Sequence, residues 1–172
     1  MKVRIKKLHE NAVVPQYAKK GDAGMDLTAV DKYYDVHGCV VYRTGLAIEI
    51  PEGYVGLIFP RSSICKQDLT LTNAVAVIDS GFRGEILMKF KPALMFVSDE
   101  EGLISDEDDT FMCADGVEIP WDDRIPISAL DYEVGDRVAQ LIIMPYPHIE
   151  FEEVEELTET ERGDGGYGST GR

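Results

Sequence analysis

The amino-acid sequence predicts an all-β sandwich or barrel. Short strand-like runs recur at close spacing, and Gly- and Pro-bearing turns such as Pro51-Glu52-Gly53 and Val134-Gly135-Asp136 divide them. Only one stretch, near Ser62 to Lys66, reads as a helix, and a short one. In chain order, Val3 to Leu8 opens in alternation. Strands are then expected at Cys39 to Tyr42, Leu46 to Ile50, Tyr54 to Phe59, Leu69 to Leu71, Val75 to Ile78, Ile86 to Phe90, Val138 to Met144 and Ile149 to Val154.

A chain of 172 residues, 44% apolar, is one domain with a real core. No apolar run approaches the roughly 18 residues that span a bilayer, and no leader-like segment follows Met1, so the expected location is cytoplasmic. Three scattered cysteines, Cys39, Cys65 and Cys113, fit free thiols in a reducing compartment. A net charge of -15 argues against nucleic acid as a partner, because binding its backbone needs a basic footprint.

That charge is uneven. Val97 to Arg124 holds eleven Asp or Glu and one Arg, and it interrupts the strand rhythm. It reads as an acidic surface insertion, anchored by Phe111, Val117, Ile119 and Trp121. It has no Asp-x-Asp-x-Asp-Gly calcium spacing, but its charge could attract a basic protein partner. The expected organisation is a single β domain over residues 1–160, with the insertion at 97–124, and a flexible arm at 161–172. The arm has five glycines in twelve residues, two arginines, two hydroxyls and one aromatic ring.

The stretch Ala76-Val77-Ile78-Asp79-Ser80-Gly81-Phe82-Arg83-Gly84 concentrates chemistry at the end of an apolar strand. A carboxylate held on a stiff element is how a general base is positioned. Gly81 and Gly84 are expected to supply the positive φ of a tight hairpin.

Five stretches occur in order: Asp22-Ala23-Gly24-Met25-Asp26-Leu27, Pro60-Arg61-Ser62-Ser63, Asn73 through Gly84, Gly135-Asp136-Arg137-Val138-Ala139-Gln140, and the glycine-rich tail. Together they resemble the five motifs of the trimeric dUTP pyrophosphatase (dUTPase) family, over nearly the whole chain outside 97–124. The resemblance implies a jelly-roll or β-clip subunit and a homotrimer with active sites shared between chains. It further implies hydrolysis of dUTP to dUMP and diphosphate, with Mg²⁺ on the triphosphate.

Residue by residue, the resemblance makes Asp79 the base that activates water for attack on the α-phosphorus. Asn73 becomes part of the uracil-reading segment. Phe82, standing where most members have tyrosine, becomes the ring under the deoxyribose. Arg61, Ser62 and Ser63 match the phosphate-binding second motif, whose last position is often glycine, and Gln140 matches the ligand of the α-phosphate. Asp26 matches the aspartate that supports the metal through water. In the arm, Arg162, Ser169 and Thr170 match phosphate ligands, and Tyr167 takes the place of the phenylalanine that stacks on uracil. No protein cage for a metal is expected, since His9, His37 and His148 are far apart.

Two other readings share these residues. dCTP deaminases have the same fold and a similar turn, but their shuttle glutamate falls here at Lys89. Some viral and phage members of the dUTPase family carry an insertion in this region and bind other proteins; for such a member the location is the host cytoplasm.

Overall fold

The computed structural model describes residues 1–67, 69–92, 110–112, 118–120 and 131–165. Its strands are β1 (Arg4–Lys7), β2 (Met25–Thr28), β3 (Asp31–Tyr34), β4 (Val40–Arg43), β5 (Leu46–Glu49), β6 (Tyr54–Pro60), β7 (Leu69–Leu71), β8 (Ala76–Ile78), β9 (Leu87–Pro92), β10 (Thr110–Met112), β11 (Glu118–Pro120) and β12 (Arg137–Pro145). A 3-10 turn covers Ser62–Lys66, where the short helix was expected.

Two four-stranded antiparallel sheets, β2-β12-β6-β8 and β3-β4-β9-β7, form the body; β1 pairs β5 and β10 pairs β11. The arrangement is of jelly-roll type. Alternation explains which faces meet. In β9, Met88 and Phe90 are buried while Leu87 is exposed, and in β5 Leu46 and Ile48 point inward. Leu27, Ile58, Val138 and Leu141 from one sheet share a single core cluster with Tyr42, Met88 and Phe90 from the other. Tyr42, Phe90 and Tyr132 meet edge to face, with centroids 5.7 to 6.3 Å apart.

Two expectations about strands fail. No strand forms at Ile149 to Val154; Phe151 there is 97% exposed. The run follows Pro145-Tyr146-Pro147, whose prolines lack N–H donors, and its apolar side chains find no face among the described residues. The second concerns the Asp79 turn. Gly81 and Gly84 do not have positive φ; the left-handed residue of this region is Ala74, at φ 57°. Nor is the turn a hairpin, because β8 pairs β6 and the chain then crosses to β9 in the other sheet. Gly84 is needed for another reason: a Cβ there would lie 2.6 Å from Cζ of Phe82. Only glycine lets that ring lie against the backbone.

Most of the acidic 97–124 segment, expected to be an insertion, lies outside the described residues. Within it, β10 and β11 pair in register from Thr110↔Pro120 to Met112↔Glu118.

Candidate active site

Three adjacent strands build a cluster around one carboxylate. Asp26 on β2 stands opposite Gln140 on β12, which stands opposite Phe59 on β6. Arg61 follows β6 directly and donates from Nε to Asp26 Oδ1 at 2.7 Å. Arg137 opens β12 and donates from Nη1 to the other oxygen, Oδ2, at 3.1 Å. A shift of register between Arg137 and Ala139 lets β12 bury both Val138 and Ala139 while Arg137 turns to Asp26. Two guanidiniums on one carboxylate leave a local excess of positive charge on a chain of net charge -15. Arginine forks of this kind suit phosphate oxygens.

Gln140 donates from Nε2 to the Pro60 carbonyl at 3.2 Å. Its amide lies against Gly24, where a Cβ would come within 2.6 Å of Oε1. Arg61 also reaches Ser63 Oγ and the Arg137 carbonyl, each at 3.5 Å. Ser62 is exposed and Ser63 half-buried on the 3-10 turn. Thus Asp26, Arg61, Ser63 and Gln140, from three of the five sequence stretches, lie in one cluster, and the structure adds Arg137 and Gly24, to which the sequence alone assigned no role.

The Asp79 region differs in place and in support. Asp79 follows the last residue of β8, is exposed, and its carbonyl accepts from Phe82 N at 3.1 Å. Arg83 folds back and donates from Nη1 to the carbonyls of Ser80 at 2.6 Å and Phe82 at 2.8 Å, which fixes the turn. The Phe82 ring is 42% exposed and open to a ligand. Asn73 sits before β8 in a turn closed by Ala74 N donating to the Leu71 carbonyl at 3.0 Å. Because Ile78 pairs Gly56, Asp79 lies beside the start of β6 and Arg61 just past its end. Six residues of strand separate the two, about 20 Å at roughly 3.3 Å per residue.

In the arm, Arg162 is exposed and donates from Nε to the Gly165 carbonyl at 3.1 Å. Tyr167, Ser169 and Thr170 lie outside the described residues. Among the described residues, no three His, Cys, Asp or Glu side chains converge as a metal cage.

A second polar cluster stands behind the first. Asp131, with a side chain sealed from solvent, accepts from Lys32 Nζ at 2.9 Å and from the Tyr34 hydroxyl at 2.6 Å. Burial opposes the charge on Lys32, but Asp131 and Glu133 together outweigh it and hold its pKa above the usual value. Burial, with Asp131 beside it, pushes the Tyr34 phenol up. Lys89, at the deaminase shuttle position, is ion-paired to Asp35 across the β4–β9 edge.

The dUTPase family model matches residues 10–92 and 127–171, and residues 93–126 lie between the two matched blocks. A deoxyuridine 5'-triphosphate nucleotidohydrolase of Hydrogenobaculum sp. is 37% identical, with 99% of each chain covered. One from Thermobifida fusca is 34% identical over 99% of this chain and 79% of its own. Among solved structures, a Staphylococcus bacteriophage 80alpha dUTPase variant with dUpNHpp superposes at a TM-score of 0.71, with 28% identity and 99% of each chain covered. A dUTPase from phage phi11 of S. aureus, solved to visualise its species-specific insert, superposes at 0.64, with 26% identity, 93% of this chain and 100% of its own. The all-β fold, the family model and the curated relatives together define a deoxyuridine-triphosphate nucleotidohydrolase class. The chain belongs to the dUTPase family.

Proposed function

We propose that this chain hydrolyses dUTP to dUMP and diphosphate at sites assembled between copies of itself in a homotrimer. The observation that carries the shared site is the strand-length gap between Asp79 and Arg61. A triphosphate chain is shorter than that backbone span, so joining one chain's base and its own Arg61 on one nucleotide conflicts with their spacing, which favours a site shared with a neighbour. A copy that brings its Arg61 cluster to its neighbour's Asp79 turn removes the conflict. The exposed apolar side chains of Ile149, Phe151, Val154 and Leu157 also favour cover by a neighbouring chain.

In this reading Asp79 accepts the proton of the attacking water, and attack on the α-phosphorus displaces diphosphate. Arg61, held by Asp26, receives charge that builds on the phosphate oxygens, and Arg137 supports it from the other side. Gln140 contacts the α-phosphate, and Ser62 and Ser63 line the phosphate chain. Phe82 packs under the deoxyribose, leaving no room for a ribose 2′-hydroxyl, and Asn73 helps read uracil. The arm, with Arg162, Tyr167, Ser169 and Thr170, closes over the nucleotide and excludes water.

Mg²⁺ fits this donor set as a cation that keeps its own waters and grips the phosphates. Each oxygen of Asp26 accepts one arginine N–H and keeps a lone pair for such a water. Bound there, the ion would neutralise phosphate charge and hold the triphosphate in one conformation. A phage phi11 dUTPase variant has been solved for the coordination of a structural Mg(II) ion.

The test is diphosphate release from dUTP, dTTP, dCTP and UTP by the chain and by Asp79→Asn. Strong preference for dUTP and a near-inactive variant are expected; equal turnover of all four, or an active variant, sinks the reading. Ammonia release from dCTP would return the deaminase alternative. The eleven acidic residues of 97–124, in the stretch outside both family-matched blocks, favour an added role in binding a basic protein. Pull-down with and without that segment separates this role from catalysis.

A further inference from the structure

Ser63 and Tyr132 are 69 residues apart in sequence, yet their hydroxyls meet at 3.1 Å. Neither was singled out as half of a pair by the sequence. Tyr132 is buried, 4% exposed, and its ring is wedged edge to face against Tyr42 and Phe90. Its backbone is held as firmly. The Tyr132 carbonyl accepts from the Tyr42 hydroxyl at 3.2 Å and from Lys32 Nζ at 3.1 Å, and the preceding residue is the buried Asp131. The phenol oxygen therefore projects from a rigid anchor in the core toward the surface turn that follows β6. Among the described residues, Ser63 is the only hydrogen-bond partner of that hydroxyl.

We propose that Tyr132 is a positioning residue for the phosphate-binding turn, fixing the Ser63 hydroxyl so that its proton faces the nucleotide's phosphates. The inference rests on the reading of Arg61 and Ser63 as phosphate ligands. The proton count supports it. A phenol keeps its proton at neutral pH and can donate it, and burial raises the Tyr132 pKa further. Arg61 Nη1, 3.5 Å from Ser63 Oγ, has only donors to offer. Either hydroxyl can donate at 3.1 Å; in the proposed arrangement the serine oxygen accepts from Tyr132 on one side and faces Arg61 on another, and its own O–H is left to point outward. An anionic oxygen needs such a donor, and hydrogen bonds in series strengthen one another. Glycine, frequent at the Ser63 position in the family the sequence resembles, would leave the Tyr132 hydroxyl without this partner.

The variants Tyr132→Phe, Ser63→Ala and the double variant test the pair. Tyr132→Phe keeps the ring and its packing and removes one oxygen. The expected result is a rise in KM for dUTP of about fivefold for Tyr132→Phe, the worth of an ordinary hydrogen bond. kcat should hold within about twofold, because a donor to a bound phosphate serves ground and transition state alike. The double variant should be no worse than Ser63→Ala alone. Tyr34→Phe removes a neighbouring phenol bonded to Asp131 instead and should leave KM unchanged. An unchanged KM in Tyr132→Phe, multiplying effects of the two single variants, or an equal effect from Tyr34→Phe would overturn the assignment. Asp79→Asn, assayed alongside, reports on the hydrolytic reading separately: loss of its turnover with an unmoved KM in Tyr132→Phe overturns only the positioning role.

Discussion

The two halves of the site are supported in opposite ways. Around Asp26, Arg61 and Arg137 are tied to one carboxylate, Arg61 also reaches Ser63, and Gln140 is held by the Pro60 carbonyl, across three neighbouring strands and the turn beyond them. Around Asp79, the backbone and Arg83 fix the turn, and the carboxylate itself is left exposed. The difference teaches what each half is for. Groups that receive a polyanion must be held against their mutual repulsion before it arrives. A base needs only a fixed origin and a free face, and in the proposed trimer its partners would come from another chain. The cation cluster and the Asp79 carboxylate stand a strand's length apart on one sheet, the spacing on which the proposed shared site rests.

The sharpest way to break that comparison is complementation. Asp79→Asn and Arg61→Ala are each expected to lower kcat by about 10² to 10⁴. Co-expressed, their mixed trimers should regain activity, since about a quarter of shared sites would receive an intact base and an intact arginine from different chains. A mixture as inactive as its parents would mean a site built within one chain. The Asp79 substitution should leave Tm unchanged, because no side-chain bond of that carboxylate is lost among the described residues.

Asp26→Ala tests the other half. It strips Arg61 and Arg137 of their shared acceptor, and a guanidinium displaced by an ångström can cost about 10²-fold in kcat/KM. It should also lower stability by about 1–3 kcal/mol, read by denaturant unfolding. Asp26→Ala is therefore expected to lower both stability and turnover, and Asp79→Asn turnover alone.

Gly84→Ala probes the turn more gently. The new Cβ must displace the far end of the Phe82 ring, which can swing away at small cost to the fold. If that ring excludes a ribose, discrimination of dUTP over UTP should fall by about tenfold while Tm holds. Unchanged discrimination would remove Phe82 from that role.

The same contrast explains what could be read from the sequence. β4 to β9 and β12 showed themselves by apolar alternation, and the motif order pointed to Asp79, Arg61 and Gln140. β2 and β3 were not predicted, because Asp26 and Lys32 break their apolar pattern. Those charges are tolerated in strands only through partners far along the chain, Arg137 at 111 residues and Asp131 at 99. Arg137, Gly24 and Tyr132 escaped for the same reason, since each earns its place by contact with a residue remote in sequence. Gly84 was expected to serve a turn and instead makes room for a ring, a distinction that local spacing does not carry. Ile149 to Val154 read as a strand because Ile149, Phe151 and Val154 are interleaved with glutamates, but among the described residues nothing pairs with it.

Asp35 gives the smallest effect and a control for the two site carboxylates. It is an aspartate outside the site with its partners on its own chain. Its hydrogen bond to Lys89, then the Cys39 and His37 amides, pull its pKa from 3.8 to about 2. A depressed carboxylate stabilises the fold above its unfolded pKa, and that gain fades as pH falls through the folded value. The Tm difference between the natural chain and Asp35→Asn should therefore be constant above about pH 5 and close between about pH 4 and 2. Turnover of dUTP at neutral pH should not change. A Tm gap that persists at pH 2 would show that the Asp35 side chain acts through packing or hydrogen bonds that asparagine cannot copy, rather than through its charge.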